Sequence, residues 1–195
     1  HTQVVHVVTN HVEDRSSCNG FASFHREKIM TLSAHARKVY IATCYEFFDT
    51  KLEMSSLFTP SAAVKTAVES ATRRFEGRVV GFHIRATDNA PALKQSPYTL
   101  FEQTARKELE SYPETVFFLA TDNPEVKRRF LAAFGKRVVT SAGELSRSSV
   151  GGMVAAAADM FALSRCNVIY GSHYSSFSEI AAELGGKQVK VLRLS

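Results

Sequence analysis

Three segments of this 195-residue sequence run from an apolar stretch into polar residues able to grip an anion. The first is Val79-Val80-Gly81-Phe82-His83-Ile84-Arg85-Ala86-Thr87-Asp88. Strand alternation puts His83 and Arg85 on one side at the strand exit. A guanidinium there can hold a diphosphate through two parallel hydrogen bonds and stays charged at any working pH. Two structural roles are equally open: Arg85 paired with Asp88 in a loop ion pair, and His83 bonded to a backbone carbonyl.

The second segment, Val116-Phe117-Phe118-Leu119-Ala120-Thr121-Asp122-Asn123-Pro124, places Asp122 and Asn123 where they would cap a following helix. Capping leaves Thr121 or Asp122 able to reach a ligand. The third runs from Gly151 to Glu183. Asp159 is the one charged residue between Arg147 and Arg165, set in a helix of alanine, methionine and leucine. A carboxylate in such surroundings needs a partner, from the protein or from a ligand. After it comes Asn167-Val168-Ile169-Tyr170-Gly171-Ser172-His173-Tyr174-Ser175-Ser176-Phe177-Ser178-Glu179, a strand, a hydroxyl-rich turn and a helix. Such a turn can cradle phosphate at the helix N-terminus, while Ser176 to Glu179 also reads as a capping box.

Positioning these residues is the work of alternating short strands and amphipathic helices. Strands are expected at Val4–Val8, Val39–Thr43, Arg78–Ile84, Val116–Ala120, Arg137–Val139, Val168–Tyr170 and Val189–Leu192. Several are continuous apolar runs, as parallel strands covered on both faces require. Helix starts are expected where Thr59-Pro60, Ser96-Pro97 and Asn123-Pro124 put a capping side chain before proline. Apolar stripes follow, Val64 to Phe75 stopped by Gly77 and Val126 to Phe134 stopped by Gly135. From Thr59 onward the chain reads as an α/β, Rossmann-like, doubly wound parallel sheet, in which ligands bind at the carboxyl ends of the strands. Residues 10 to 24 read as a long polar loop and Glu46 to Phe58 as a connection.

Composition narrows the chemistry. The formal net charge of +5 suits an anionic ligand, but Lys and Arg are scattered without a dense basic run, which argues against a nucleic-acid surface. Three widely spaced cysteines, Cys18, Cys44 and Cys166, argue against a disulfide scaffold and a structural zinc site. No stretch reaches the roughly 20 apolar residues of a membrane span. The first residues read as a strand, and no targeting peptide is expected in them. An Asp-x-Asp motif, a Walker A loop, a Gly-x-Gly-x-x-Gly fingerprint and a Gly-x-Ser-x-Gly elbow are all missing.

In order and spacing, the three segments resemble the motifs of the GT-B fucosyltransferases, nearest to the α1,6- and nodulation fucosyltransferase group and more distantly to α1,2- and protein O-fucosyltransferases. The first motif of that group reads His-Val-Arg-Arg-Thr-Asp, against His83-Ile84-Arg85-Ala86-Thr87-Asp88 here. The second reads Leu-Ala-Thr-Asp, against Leu119-Ala120-Thr121-Asp122. The third has an Asp, Leu-Ser four residues on and a paired serine, against Asp159, Leu163-Ser164 and Ser175-Ser176.

The resemblance covers Thr59 to Ser195 and implies a nucleotide-sugar-binding domain there, with residues 1–58 the end or remnant of an acceptor-side domain. It implies that Arg85 binds the β-phosphate and that Asp159 holds the guanosine. Ser175 and Ser176 would hold the diphosphate, and His83 and Asp88 would shape the pocket. The implied activity is inverting transfer of fucose from GDP-fucose to an acceptor hydroxyl, with no metal and no cofactor. Ala86 replaces the second arginine of the first motif, and no carboxylate stands between Asp88 and Glu102, where some members carry a glutamate. His11, Glu13 and Asp14 are base candidates by position alone. A non-catalytic nucleotide-sugar-binding domain is the competing expectation.

Overall fold

A computed structural model describes residues 53–87, 90–143 and 148–194, together with Met30, Thr31 and Ala34. The strands expected at Val4–Val8 and Val39–Thr43, the polar loop at 10–24 and the base candidates His11, Glu13 and Asp14 lie outside the described residues, as does Asp88. By its contacts the chain divides into two compact units, His1–Lys51 and Leu52–Ser195. Everything below concerns the second.

Five parallel strands form one sheet: β1 (Val79–Ile84), β2 (Val116–Thr121), β3 (Val138–Val139), β4 (Val168–Ser172) and β5 (Val189–Leu192), in the order β3-β2-β1-β4-β5. The helices are α1 (Met54–Leu57), α2 (Ala62–Thr72), α3 (Ala90–Gln95), α4 (Tyr98–Ser111), α5 (Pro124–Phe134), α6 (Val150–Ser164) and α7 (Ser176–Leu184). All six residues of β1 are buried, as its apolar run demands of a central strand. The sheet is covered on both faces. On one, Phe82 and Phe117 pack with Phe101 of α4 and Phe130 of α5. On the other, Phe118 and Ile169 pack with Leu163 of α6 and Ala181 of α7. Helix α7 lies so close to β4 that a Cβ on Gly171 would run into the Ser178 side chain. This is the doubly wound Rossmann-like sheet that the apolar strand runs call for.

Two helix starts differ from expectation. Helix α2 is capped by Ser61, whose Oγ accepts from the Val64 N–H at 3.4 Å, not by Thr59. At α4 the residue before the helix is Pro97, with no side-chain cap. Ser96 instead turns inward, accepting from the His173 N–H at 2.8 Å, because it is buried where the β4 exit loop needs an acceptor. Asn123 caps α5 as its spacing predicts, accepting from the Glu125 and Val126 amides.

Strand order reverses at β1. From it the chain moves outward through β2 to β3, then returns to the other side with β4 and β5. Open sheets of this kind form their crevice at such a switch point, outside the carboxyl ends of the strands. Here the register sets His83 beside Gly171, so the exits of β1 and β4 emerge together.

Candidate functional site

Arg85 is the first residue beyond β1, and neighbouring strands hold its backbone on both sides. Its N–H donates to the Ser172 Oγ at 3.0 Å, from the end of β4. On the β2 side, the Thr121 hydroxyl donates to the Ile84 carbonyl at 2.8 Å. Asp122 accepts from the Ala86 N–H at 2.8 Å and from the Thr87 hydroxyl at 2.6 Å, and the Asn123 amide donates to the Ala86 carbonyl at 3.0 Å. The second sequence segment is therefore a clamp on the first. The Arg85 Nε lies 3.6 Å from Asp122, beyond hydrogen-bond length, and the side chain stays 22% exposed. That ion pair holds the guanidinium at the strand exit. Asp122 thus takes a different part from the helix cap expected of it; Asn123 does the capping.

His83 is buried, stacked on Phe177 of α7 with ring centroids 4.6 Å apart. Its Nδ1 lies 3.3 Å from the Ser175 Oγ. Ser175 is the residue before α7, and its side chain makes no capping hydrogen bond. The capping box read from Ser176 to Glu179 therefore starts one residue too late, because Ser175 occupies the N-cap with its hydroxyl turned to His83. Ser176, first residue of α7, is exposed. Both serines stand in the turn leaving β4, next to the strand that delivers Arg85.

Between this edge and α6 lies a cavity of about 500 Å³. His83, Arg85, Asp122, Ser141, Asp159 and Phe177 border it among mostly apolar neighbours. The volume is in the range of small-molecule and nucleotide sites. Ser175 and Ser176 are not part of its wall, although the Ser175 hydroxyl lies against His83. Asp159 is 9% exposed, and its Oδ1 has no hydrogen-bond partner among the described residues. Burial pushes its pKa up to about 6; a hydrogen bond from Ser141 and the Lys127 charge pull in the opposite direction. A buried acceptor without a donor, in a cavity wall, is suited to a ligand N–H or O–H.

Ser172, Ser141 and Phe177 complete the site without having been singled out. Ser172 was visible within the hydroxyl-rich run, and only its side-chain direction was missing. Ser141 carried no signal, being an ordinary serine after a two-residue strand. Among the described residues no group of three or more His, Cys, Asp or Glu is placed to hold a metal ion. No described helix is long and apolar enough to cross a membrane.

No protein-family model matches the chain. No curated protein matches it either. Solved structures do. One is NodZ α-1,6-fucosyltransferase soaked with GDP-fucose, with a TM-score of 0.51 and 16% identity over 89% of this chain and 60% of that one. NodZ co-crystallised with GDP aligns at 0.47, with 18% identity over 62% and 41% of the two chains. A mutant of Arabidopsis thaliana FUT1 in complex with GDP aligns at 0.48, with 15% identity over 69% and 33%. The chain thus spans between a third and three-fifths of the lengths of these structures. The likeness is one of fold, and it agrees with the strand order and crevice described above: the unit has a GT-B fucosyltransferase-like, Rossmann-type fold.

Proposed function

We propose that Thr59–Ser195 is the nucleotide-sugar half of a fucosyltransferase-like glycosyltransferase that takes GDP-fucose without a metal. The observation that carries this reading is the switch-point cavity, with a clamped guanidinium at one edge and a buried, donor-seeking carboxylate in its wall. Arg85 would take the diphosphate, together with the amides at the start of α7 and Ser175 and Ser176. Asp159 would accept from the guanosine. His83, beside Ser175, and Asp88 would shape the pocket around the nucleotide. In the transfer, an acceptor oxygen forms a bond to the anomeric carbon of fucose as the bond to the β-phosphate oxygen breaks. The electron pair leaves with GDP, and Arg85 stabilises the charge that develops there. The acceptor's proton goes to a base, sought first among His11, Glu13 and Asp14 of residues 1–58, where the acceptor side is proposed to lie.

The structural neighbour NodZ α-1,6-fucosyltransferase, whose solved structure was soaked with GDP-fucose, supports a glycosyltransferase-like role. Arg85→Ala tests the reading. It should lower GDP affinity by about 1.5–3 kcal/mol, the worth of hydrogen bonds to a charged group. Arg85→Lys should recover only part, because a point charge lacks the fork. The circular dichroism spectrum should be unchanged. An Arg85→Ala protein that unfolds, beside a wild type that binds no GDP in calorimetry, would make Arg85 a structural partner of Asp122 and end the proposal.

One observation favours a non-catalytic binder instead. Of the two carboxylates in the described wall, Asp122 is committed to the β1 exit and Asp159 is buried against Ser141. Neither is placed as a base for an acceptor. GDP binding with no release of fucose from GDP-fucose, with or without glycan acceptors, would select this reading.

A further inference from the structure

The run Lys127-Arg128-Arg129 on α5 sends its three cations in different directions. Arg128 pairs with Glu125 in solvent at 2.6 Å, and the Arg129 guanidinium lies 4.2 Å from the centre of the Tyr98 ring. Lys127 turns inward, and its Nζ donates to the Ser141 carbonyl at 3.0 Å. Ser141 belongs to the segment that leaves β3. Together with Gly143 and Ala155 it borders both the site cavity and a second cavity of about 510 Å³, lined also by Ala71, Arg74 and Val138. The segment is a partition with space on either side. A Cβ on Gly143 would run into the Ala155 side chain, so the partition is seated hard against α6. Asp159 follows Ala155 by four residues, one helical turn along the same face, and Ser141 beside it lowers the carboxyl's pKa.

We infer that Lys127 is a positioning residue for the nucleoside end of the cavity: its bond to Ser141 keeps the partition on α6, one helical turn from Asp159. The inference rests on the functional reading above for the identity of the ligand, but the tether itself is a property of the free protein. Other charges are placed differently. Lys65 and Glu69 on α2 and Glu179 and Glu183 on α7 are exposed. Arg85, Asp122 and His83 border the same cavity from the sheet edge. Among the described residues, the Lys127 charge is the one that pulls the Asp159 pKa down.

The test compares Lys127→Met and Lys127→Arg with the wild type in two measurements. Calorimetry with GDP and with inorganic pyrophosphate separates the nucleoside end from the diphosphate end. Carbon-13 NMR of the Asp159 carboxyl, without nucleotide, gives its titration midpoint. Lys127→Met should weaken GDP about fivefold or more at pH 7, the lower end of the coupling between linked sites. Pyrophosphate affinity should stay within about twofold, the carboxyl midpoint should move up, and Lys127→Arg should restore most of both. An unmoved midpoint in a folded Lys127→Met protein overturns the inference, as does an equal loss of pyrophosphate, which would mark general loosening. If the methionine variant fails to fold, Lys127→Gln keeps a donor for Ser141 without the charge, and the same midpoint shift is required of it. A wild type that takes up no GDP overturns the functional reading, whereas the midpoint decides the tether by itself.

Discussion

Two carboxylates, Glu108 on α4 and Asp159 on α6, lie on opposite faces of the sheet and expose the same 9% of their surface, although Asp159 is set far deeper among protein atoms. Their surroundings could hardly differ more. Glu108 accepts from Arg78 through Nη2 at 2.8 Å and Nε at 3.3 Å, and from the Tyr170 hydroxyl at 2.7 Å. Burial alone would push its pKa up, but the bonds from Arg78 and Tyr170 and the charges of Arg78 and Lys190 outweigh it, leaving the pKa below the usual carboxylate value. Asp159 has an Oδ1 without a partner among the described residues and a pKa pushed up to about 6. Exposed area therefore does not separate the two carboxylates. Completion of the hydrogen bonding does. The Glu108 cluster is finished by the protein, whereas the Asp159 Oδ1 has no partner among the described residues.

The largest effect should come from breaking the finished side. Glu108→Ala leaves Arg78 facing a buried gap, and removing one partner of a buried pair costs about 3–5 kcal/mol. Arg78 keeps 30% of its side chain exposed, so the lower end, about 3 kcal/mol, is expected in urea unfolding at pH 7. GDP affinity of the folded fraction should not change, since this cluster is on the face away from the cavity. A loss below about 1 kcal/mol would fall in the range of exposed ion pairs and erase the contrast with Asp159.

Asp159→Asn should act with the opposite sign. A folded pKa above the unfolded one means that the native state binds the proton more tightly, so stability is highest below the unfolded value, near 3.8, and is lost as pH rises through about 6. At pH 7 the ionised Asp159 is a burden of up to about 3 kcal/mol, two pKa units' worth. The amide removes the charge, so the variant should be more stable than the wild type by about 1–3 kcal/mol at pH 7 and by little at pH 4. The same change should weaken GDP, because a neutral acceptor replaces a charge-assisted one. Thermal unfolding at both pH values checks the sign. A variant less stable than the wild type at pH 7 would mean that a protein donor already completes Asp159.

The sheet was legible because strand identity follows from local composition. The apolar runs of β1, β2 and β4 specify burial on both faces, and burial on both faces specifies parallel strands. The motifs were legible as positions on the carboxyl edge for the same reason. Connections across the fold were not. Nothing in the spacing of Asp122 points to the Ala86 amide, 36 residues away, because that bond exists only once β1 and β2 are paired in register. Ser96 looks locally like a helix cap, and its tie to the His173 amide spans 77 residues. Proline rules locate a turn well, but the side chain that serves it is chosen by packing, which is why Ser61 rather than Thr59 caps α2.

The smallest and sharpest test is Tyr170→Phe, which moves Glu108 one step toward the condition of Asp159. Tyr170 is buried in β4, its ring stacked on Phe82 at 5.4 Å, and the phenylalanine ring keeps that packing. What disappears is the hydroxyl donated to the Glu108 Oε1, while Arg78 stays in place. A hydrogen bond to a charged group contributes about 1.5–3 kcal/mol, and a part-wet ion pair beside it argues for the lower figure. The sign with pH follows from the remaining terms. Losing one donor raises the Glu108 pKa toward its unfolded value. A depressed carboxylate contributes stability that is present above the unfolded pKa and lost as pH falls through the folded one. In the variant that contribution is smaller, and its loss begins and ends over a narrower acid range. Urea unfolding from pH 7 to pH 3 should show the two proteins differing most at pH 7 and converging in acid. A constant difference across that range would mean that the hydroxyl contributes by packing alone, and that Glu108 owes its low pKa entirely to Arg78 and Lys190.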